Sequence, residues 1–280
     1  MIGRLFLVAT PIGNPEDLTT RAADVLRRVP LIAAEDTRIA RSLLGRLGRT
    51  DVEVWRCDDH AEAKVAGELV TRLLAGDDVA LVSDAGTPLC SDPGFRVVRS
   101  AVAAGVDVVP VPGASALLAA LTASGLPTDR FLFAGFPPRQ DAARATWLGA
   151  LALEKATIVL YEAPHRIADT LEAAVEAWGD RPATLAISLT KVWERFHRGK
   201  LSEVRTALLA EGETKGEMTL VVAGTPESTD RDQARVAALV RGLASRGVAA
   251  SDLRDVVAEV FGWSRREVYQ LALSARPGEE

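Results

Sequence analysis

The side chains able to do chemistry gather in short polar clusters. They are Glu35-Asp36-Thr37-Arg38, Asp58-Asp59-His60-Ala61-Glu62, Ser83-Asp84-Ala85-Gly86-Thr87-Pro88 with Asp92-Pro93-Gly94, and Glu162-Ala163-Pro164-His165-Arg166. Lys191 and the pair Lys215 and Glu217 follow later. Carboxylates and imidazoles carry protons, and guanidinium and ammonium groups hold anions. Other chemistries are disfavoured. The Cys and His residues lack metal-site spacing, no lysine-bearing P-loop occurs, and the first glycine loop lacks the dinucleotide-binding spacing.

The elements that must position these clusters read as an alternation. Val79-Ala80-Leu81-Val82 is a short apolar run with β-branched residues, the pattern of a strand buried on both faces. It runs into the loop 83–94, where Gly86 and Gly94 open backbone conformations closed to other residues. Asp92 and Pro93 suit the N-cap and first position of a helix to about 104, stopped by Gly105. Ligands of open parallel sheets bind beyond the carboxyl ends of strands, so this loop reads as a site. The same residues also suit a plain β-to-α connection.

Strands are expected at 5–9, 31–34, 52–55 and 107–109, with helices at 19–29, 37–47 and 59–74 between them. Asp59 and Glu62 have capping-box spacing. Alternating strands and helices predict a parallel sheet. Pro110-Val111-Pro112-Gly113-Ala114-Ser115-Ala116 breaks the pattern as a hinge. The helix after it, 114–123, offers a free N-terminal turn for a carboxylate or phosphate.

Beyond it, strands are expected at 131–134, 157–161, 183–189 and 217–223, with helices at 142–153 and up to Trp178. Residues 191–200 read as a basic connection. Closer spacing of the last strands suggests a mixed sheet. Residues 224–230 have linker composition, and helical patterns follow at 233–244, 251–261 and 264–273. The last two form a helix-turn-helix outline, or equally a helical hairpin packing on its own body or a partner. This gives an N-terminal α/β domain at 1–111, a second α/β domain at 112–224, and a linker with a helical extension at 225–280.

Length and composition fit this plan. The chain has 280 residues, 48% of them apolar, enough for two cores. With only Cys57 and Cys90, no disulfide framework is expected and a reducing cytoplasm is the default. Residues 1–8 lack signal-peptide features, and no unbroken apolar run of about 20 residues suggests a membrane helix. A net charge of −5 argues against a generic RNA-coating protein. Local arginine groups, among them Arg38 and Arg139, leave room for a basic face.

These loops, in order, resemble a known family. Thr10-Pro11-Ile12-Gly13-Asn14, Ala34-Glu35-Asp36-Thr37-Arg38, the 83–94 loop, Pro112-Gly113 and Gly125-Leu126-Pro127 with Asp129-Arg130-Phe131 come first. Tyr161-Glu162 with His165-Arg166, Leu189-Thr190-Lys191 and Lys215-Gly216-Glu217-Met218 complete the set. Together they are similar to the bacterial 16S ribosomal RNA 2′-O-ribose cytidine methyltransferases of the tetrapyrrole-methylase superfamily. The resemblance implies a two-domain α/β homodimer with S-adenosylmethionine in the cleft between domains and a cytidine of the decoding centre as acceptor, in the assembled small ribosomal subunit. It implies no metal and no membrane.

By the same resemblance, Asp84, Gly86, Thr87 and Pro88 match the cofactor loop, and Gly113, Ser115 and Ala116 the hinge turn. Pro11 and Met218 join that set. Candidates for proton transfer are Glu35, Asp36, His60, Glu162, His165, Lys215 and Glu217. Arg38, Arg139, Arg166 and Lys191 are candidates for RNA. Salt bridges lining a cleft are the competing reading for each. Two departures stand out: Ile187-Ser188 replaces the family's usual Arg-Glu, and Ala61 replaces a common Asn. Rival functions are a same-fold methyltransferase acting on a tetrapyrrole or other small molecule, and a non-enzymatic RNA-binding or assembly module.

Overall fold

The computed structural model describes residues 1–212, 215–226 and 230–275, with only the backbone of 230–234. The chain divides into two compact units, Met1–Thr225 and Pro226–Glu280.

The first unit holds two five-stranded sheets. Strands β1 (Leu5–Val8), β2 (Leu31–Ala34), β3 (Glu53–Arg56), β4 (Val79–Val82) and β5 (Val108–Val111) form the first, in the order β3-β2-β4-β1-β5. All its pairings are parallel. β2 and β4 are buried at every position, which explains their unbroken apolar runs. Helices α1 (Thr20–Arg28), α2 (Thr37–Arg46), α3 (Glu62–Leu74) and α4 (Phe95–Ala103) return the chain between strands. Thr19 caps α1 by accepting the Ala22 N–H, and Asp36 caps α2 by accepting the Arg38 N–H.

The second sheet contains β6 (Phe131–Gly135), β7 (Thr157–Glu162), β8 (Pro182–Ile187), β9 (Arg195–Lys200) and β10 (Met218–Val222). Its order is β6-β7-β10-β8-β9; β6 and β7 are parallel and the other pairs antiparallel, so the sheet is mixed as expected. α5 (Ala116–Ala123) packs on its inner face through Leu117, Ala120 and Leu121. α6 (Asp141–Ala150), α7 (Ile167–Trp178) and α8 (Leu201–Ala210) build a second core around Leu160, Ile167, Leu185 and Leu220.

Several expectations need correction. Residues 191–200 are not merely a connection: β9 forms there, followed by α8. Arg195-Phe196-His197-Arg198-Gly199-Lys200 has one large apolar residue, and its strand state comes from pairing along β8 at the sheet edge. Asp92 does not cap α4. Gly94 occupies that place, at φ +126 and without a side-chain cap. The Asp59–Glu62 capping box does not form, because Ala61 is the N-cap and Glu62 is turned inward, 6% exposed. His60 sits in the preceding turn. β5 extends through Pro110, tolerated because β5 is an edge strand. α5 begins at Ala116, not Ala114, since Ser115 is extended and caps it.

In the second unit, α9 (Asp230–Ala244), α10 (Ala250–Phe261) and α11 (Arg265–Ser274) enclose a small core of Val240, Leu253, Val257 and Val268. Gly262 is left-handed at the end of α10, and Ser264 caps α11, as the sequence suggests. Of the linker stretch, 227–229 lie outside the described residues.

Candidate active-site cavity between two sheets

Three loops are stitched together at the carboxyl end of the first sheet. Thr10, after β1, and Gly86, after β4, exchange backbone hydrogen bonds of 2.8 and 3.0 Å. The Thr87 hydroxyl donates to the Ala114 carbonyl at 3.1 Å, tying the β4 loop to the segment entering α5. Gly86 has φ +83, and a Cβ on Gly113 would lie 2.9 Å from the Ala9 Cβ. Both positions therefore need glycine for these strand ends to meet.

A cavity of about 310 Å³ lies against this seam. One wall comes from Ile12, Ala85, Gly86, Thr87 and Cys90 to Asp92; the other from Phe136, Tyr161 to Pro164, Leu189 and Gly216 to Thr219. Ser115 and Ala116, at the start of α5, also line it. The size suits a small ligand, and the lining is mostly apolar with few polar groups. In the second sheet, Met218 pairs with Glu162 on one side and Ile187 on the other, so the register brings these strand ends to one level.

The sequence candidates separate into groups. Gly86, Thr87, Ser115, Ala116 and Met218 line the cavity, as do Glu162 and Glu217. Pro11, Asp84, Pro88 and Gly113 do not line it, although the first three flank residues that do. Ser115 caps α5 by accepting the Leu118 N–H. The α5 turn is not wholly free, because the Leu117 N–H donates to the Tyr161 hydroxyl at 3.1 Å.

Glu35 and Asp84 act on backbone. Glu35 Oε2 accepts the Asp84 N–H at 3.3 Å, and Asp84 Oδ1 accepts the Asp36 N–H at 2.9 Å. Burial raises the pKa of both carboxyls. Asp36 instead pairs with the Arg38 guanidinium, whose hydrogen bonds hold its carboxyl well below the usual range. Glu162 is 2% exposed: its oxygens accept the Ala163 N–H at 2.8 Å and the Thr170 hydroxyl at 2.6 Å. Arg166 lies 3.3 Å from Glu162 and donates to the Pro137 and Pro138 carbonyls. This is a buried clasp between β7, α7 and the β6 loop. Glu217 is at the rim, paired with Lys191. Lys215 and Lys191 line an adjoining depression, while His60, His165, Arg38 and Arg139 are exposed away from the cavity lining.

Sequence reasoning missed Asp92 and Tyr161 as cavity residues. Burial is the largest influence on Asp92, pushing its carboxyl up to about 6, with Glu35 and Asp84 adding repulsion. Burial also raises the Tyr161 phenol. The only local signal for Asp92 was its place in a polar loop, where it read as a helix cap. Of the two departures, Ile187 is in the second-sheet core, and Ser188 is fully buried at φ +53. Ala61 is the uncapped start of α3.

The comparisons with known proteins agree with this geometry. Residues 4–205 match the family described as Tetrapyrrole (Corrin/Porphyrin) Methylases. The chain is 48% identical to ribosomal RNA small subunit methyltransferase I of Micromonospora olivasterospora, over 96% of this chain and 86% of that one. It is 42% identical to the protein of that name from Escherichia coli O157:H7, over 97% and 95% of the two chains. Among solved structures, the methyltransferase CobJ superposes with TM-score 0.59 at 18% identity, covering 79% of this chain and 94% of that one. Uroporphyrin-III C-methyl transferase from Thermus thermophilus, complexed with S-adenyl homocysteine, gives 0.55 at 24% identity, covering 79% and 97%. These two likenesses concern the fold, whereas the near full-length identities are specific, and the chain belongs to the tetrapyrrole (corrin/porphyrin) methylase family, in its ribosomal RNA small subunit methyltransferase I branch.

Proposed function

We propose that the chain transfers a methyl group from S-adenosylmethionine to the ribose 2′-oxygen of a decoding-centre cytidine in 16S ribosomal RNA. It acts in the cytoplasm as a homodimer on the assembled small subunit, with its two sheets as domains hinged near 111–112. The observation that carries this reading is 48% identity, over 96% of the chain, to a relative named for ribosomal RNA methylation. The same-fold structures above match at far lower identity, 18–24%.

The residues present fit the cofactor. Ile12, Ala85, Leu189 and Met218 offer apolar contact, and the Gly86 turn lines the cavity without a side chain. Asp92 supplies a negative counter-charge within the cavity. When bound, S-adenosylmethionine supplies an electrophilic methyl group on a sulfonium. Gly86, Thr87, Ser115, Ala116 and Met218 hold it, while Asp84 keeps the β4 loop in register through Asp36. Pro11, Pro88 and Gly113 shape the turns behind them.

The chain's remaining task is to align the acceptor and remove its proton. Glu217 is the rim carboxylate best placed to accept it, since Glu162 is fully engaged in its clasp. Lys191 and Lys215 steady developing negative charge or nearby phosphates. Arg38 and Arg139 provide further exposed cations, and His60 and His165 lie outside the proton-transfer step. Glu35 and Asp36 serve as strand-end supports, and Arg166 as the partner of Glu162.

The test uses labelled methyl donor with small ribosomal subunits lacking the modification, and separately with corrinoid precursors. Incorporation at one cytidine ribose in the subunits alone is expected. Incorporation into the precursors alone would move the chain to the small-molecule reading.

A further inference from the structure

Trp193 stands where a soluble face seldom places such a ring. It is 63% exposed, next to Val192 at 99%. The loop carrying it, between β8 and β9, is firmly held. Ser188 and Thr190 adopt φ +53 and +64, conformations that non-glycine residues keep only when their surroundings impose them. The Ser188 N–H donates to the Glu217 carbonyl at 2.8 Å, and the Asn14 N–H to the Thr190 hydroxyl at 2.9 Å. The Thr190 N–H donates to Glu194 Oε2 at 2.6 Å, and the Glu194 N–H back to the Lys191 carbonyl at 2.9 Å. An exposed indole is thus presented on a fixed turn.

What surrounds it points to a ligand. Lys191, Trp193, Lys215, Gly216 and Glu217 line one depression, and Gly216 and Glu217 also line the cavity described above. A chain leaving the cavity over the Gly216–Glu217 rim therefore meets an aromatic face flanked by two ammonium groups. Every nucleobase offers a π-face to such a ring, and every linkage a phosphate to such cations.

Resting on the RNA reading above, we propose that Trp193 stacks on a nucleobase adjacent to the methylated nucleotide, with Lys191 and Lys215 meeting the intervening phosphates. The Lys191–Glu217 pair does not oppose this. The carboxylate side of the pair is open, Glu217 being 72% exposed against 24% for Lys191, so a phosphate can reach Lys191 and replace the carboxylate there. That exchange leaves Glu217 unpaired at the rim, ready for the hydroxyl proton. The two ammonium groups beside the ring complement the phosphates of a nucleic-acid chain, which favours RNA as the occupant.

The experiment is single-turnover methylation of unmodified small subunits by wild type, Trp193→Ala and Trp193→Phe. S-adenosylmethionine affinity and particle mass are measured alongside. Trp193→Ala should raise the half-saturating subunit concentration roughly 5- to 150-fold. Its saturated rate, donor affinity and mass should stay at wild-type values, and Trp193→Phe should recover most of the loss. Lys191→Ala and Lys215→Ala should each lower the log–log salt slope of subunit binding by about 0.7. An unchanged half-saturating concentration for Trp193→Ala overturns the proposal, as does a fall in mass, which would place the ring against a second copy. If wild type itself leaves subunits unmethylated, the RNA reading fails first and this proposal with it.

Discussion

Asp92 is the carboxylate most exposed to the consequences of its surroundings. Its folded-state pKa stands at about 6, against 3.8 for the ordinary side chain, mainly through burial. The folded chain therefore binds a proton more readily than the unfolded chain, and stability falls as pH rises from 3.8 to about 6. Asp92→Asn removes that loss. Above pH ~6 it should be more stable than wild type by about 1 kcal/mol, allowing for screening of a partly exposed group, and the difference should vanish toward pH ~4. Urea unfolding across pH measures this, and a gain that persists at the acid end would refute it. In the proposed donor site the same carboxylate would face a cationic donor but a neutral product. Wild-type affinity for S-adenosylmethionine should weaken as pH falls through about 6, while affinity for S-adenosylhomocysteine should not. Asp92→Asn should flatten that profile in calorimetric titration. Equal pH dependence for both ligands would take Asp92 out of the cofactor's environment.

At the scale of elements, the joint between α3 and α4 sets the wall that carries Asp92. Glu62 Oε1, from the first turn of α3, accepts the Gly94 N–H at 3.1 Å and the Arg96 N–H at 2.5 Å. It thereby does for α4 what no cap residue does, since Gly94 has no side chain. Glu62→Ala leaves buried donors unpaired and should cost about 1–3 kcal/mol in urea unfolding, with weakened donor binding because the 83–94 loop loses its anchor. Wild-type stability would show that water replaces the carboxylate there. Across the cleft, Gly113→Ala places a Cβ 2.9 Å from the Ala9 Cβ, so the seam between β1 and the α5 entry must open. Donor affinity should fall without comparable loss of stability, because Gly113 is exposed and outside both cores. Undiminished affinity would mean that this seam does not shape the donor site.

The whole molecule carries two compact units, and the cavity lies entirely within Met1–Thr225. A chain ending at Thr225 should therefore unfold cooperatively and bind S-adenosylmethionine as the full chain does. The second unit has its own apolar core, so its loss removes no residue from the clusters that enclose the cavity. Loss of donor binding on truncation would show otherwise. Among the described residues, no helix is long and apolar enough to cross a membrane.

The sequence by itself determined the elements whose burial is complete and whose ends are marked. β2 and β4 are apolar at every position, and Thr19 and Ser264 cap helices as their chemistry requires. Gly86, Thr87, Ser115, Ala116 and Met218, singled out through the family resemblance of their motifs, line the cavity, whereas Pro11, Asp84, Pro88 and Gly113 from the same motifs do not. Tertiary structure alone decided the rest. β9 owes its strand state to β8, not to its own basic residues. Glu62 and Asp92 exchanged their expected capping roles for inward ones only when α3 met the 83–94 loop. Tyr161 reached the start of α5 because that helix, distant in sequence from β7, packs on the second sheet. Periodicity and turn signals report a residue's neighbours along the chain; burial, charge and pairing partners come from segments that folding alone brings together.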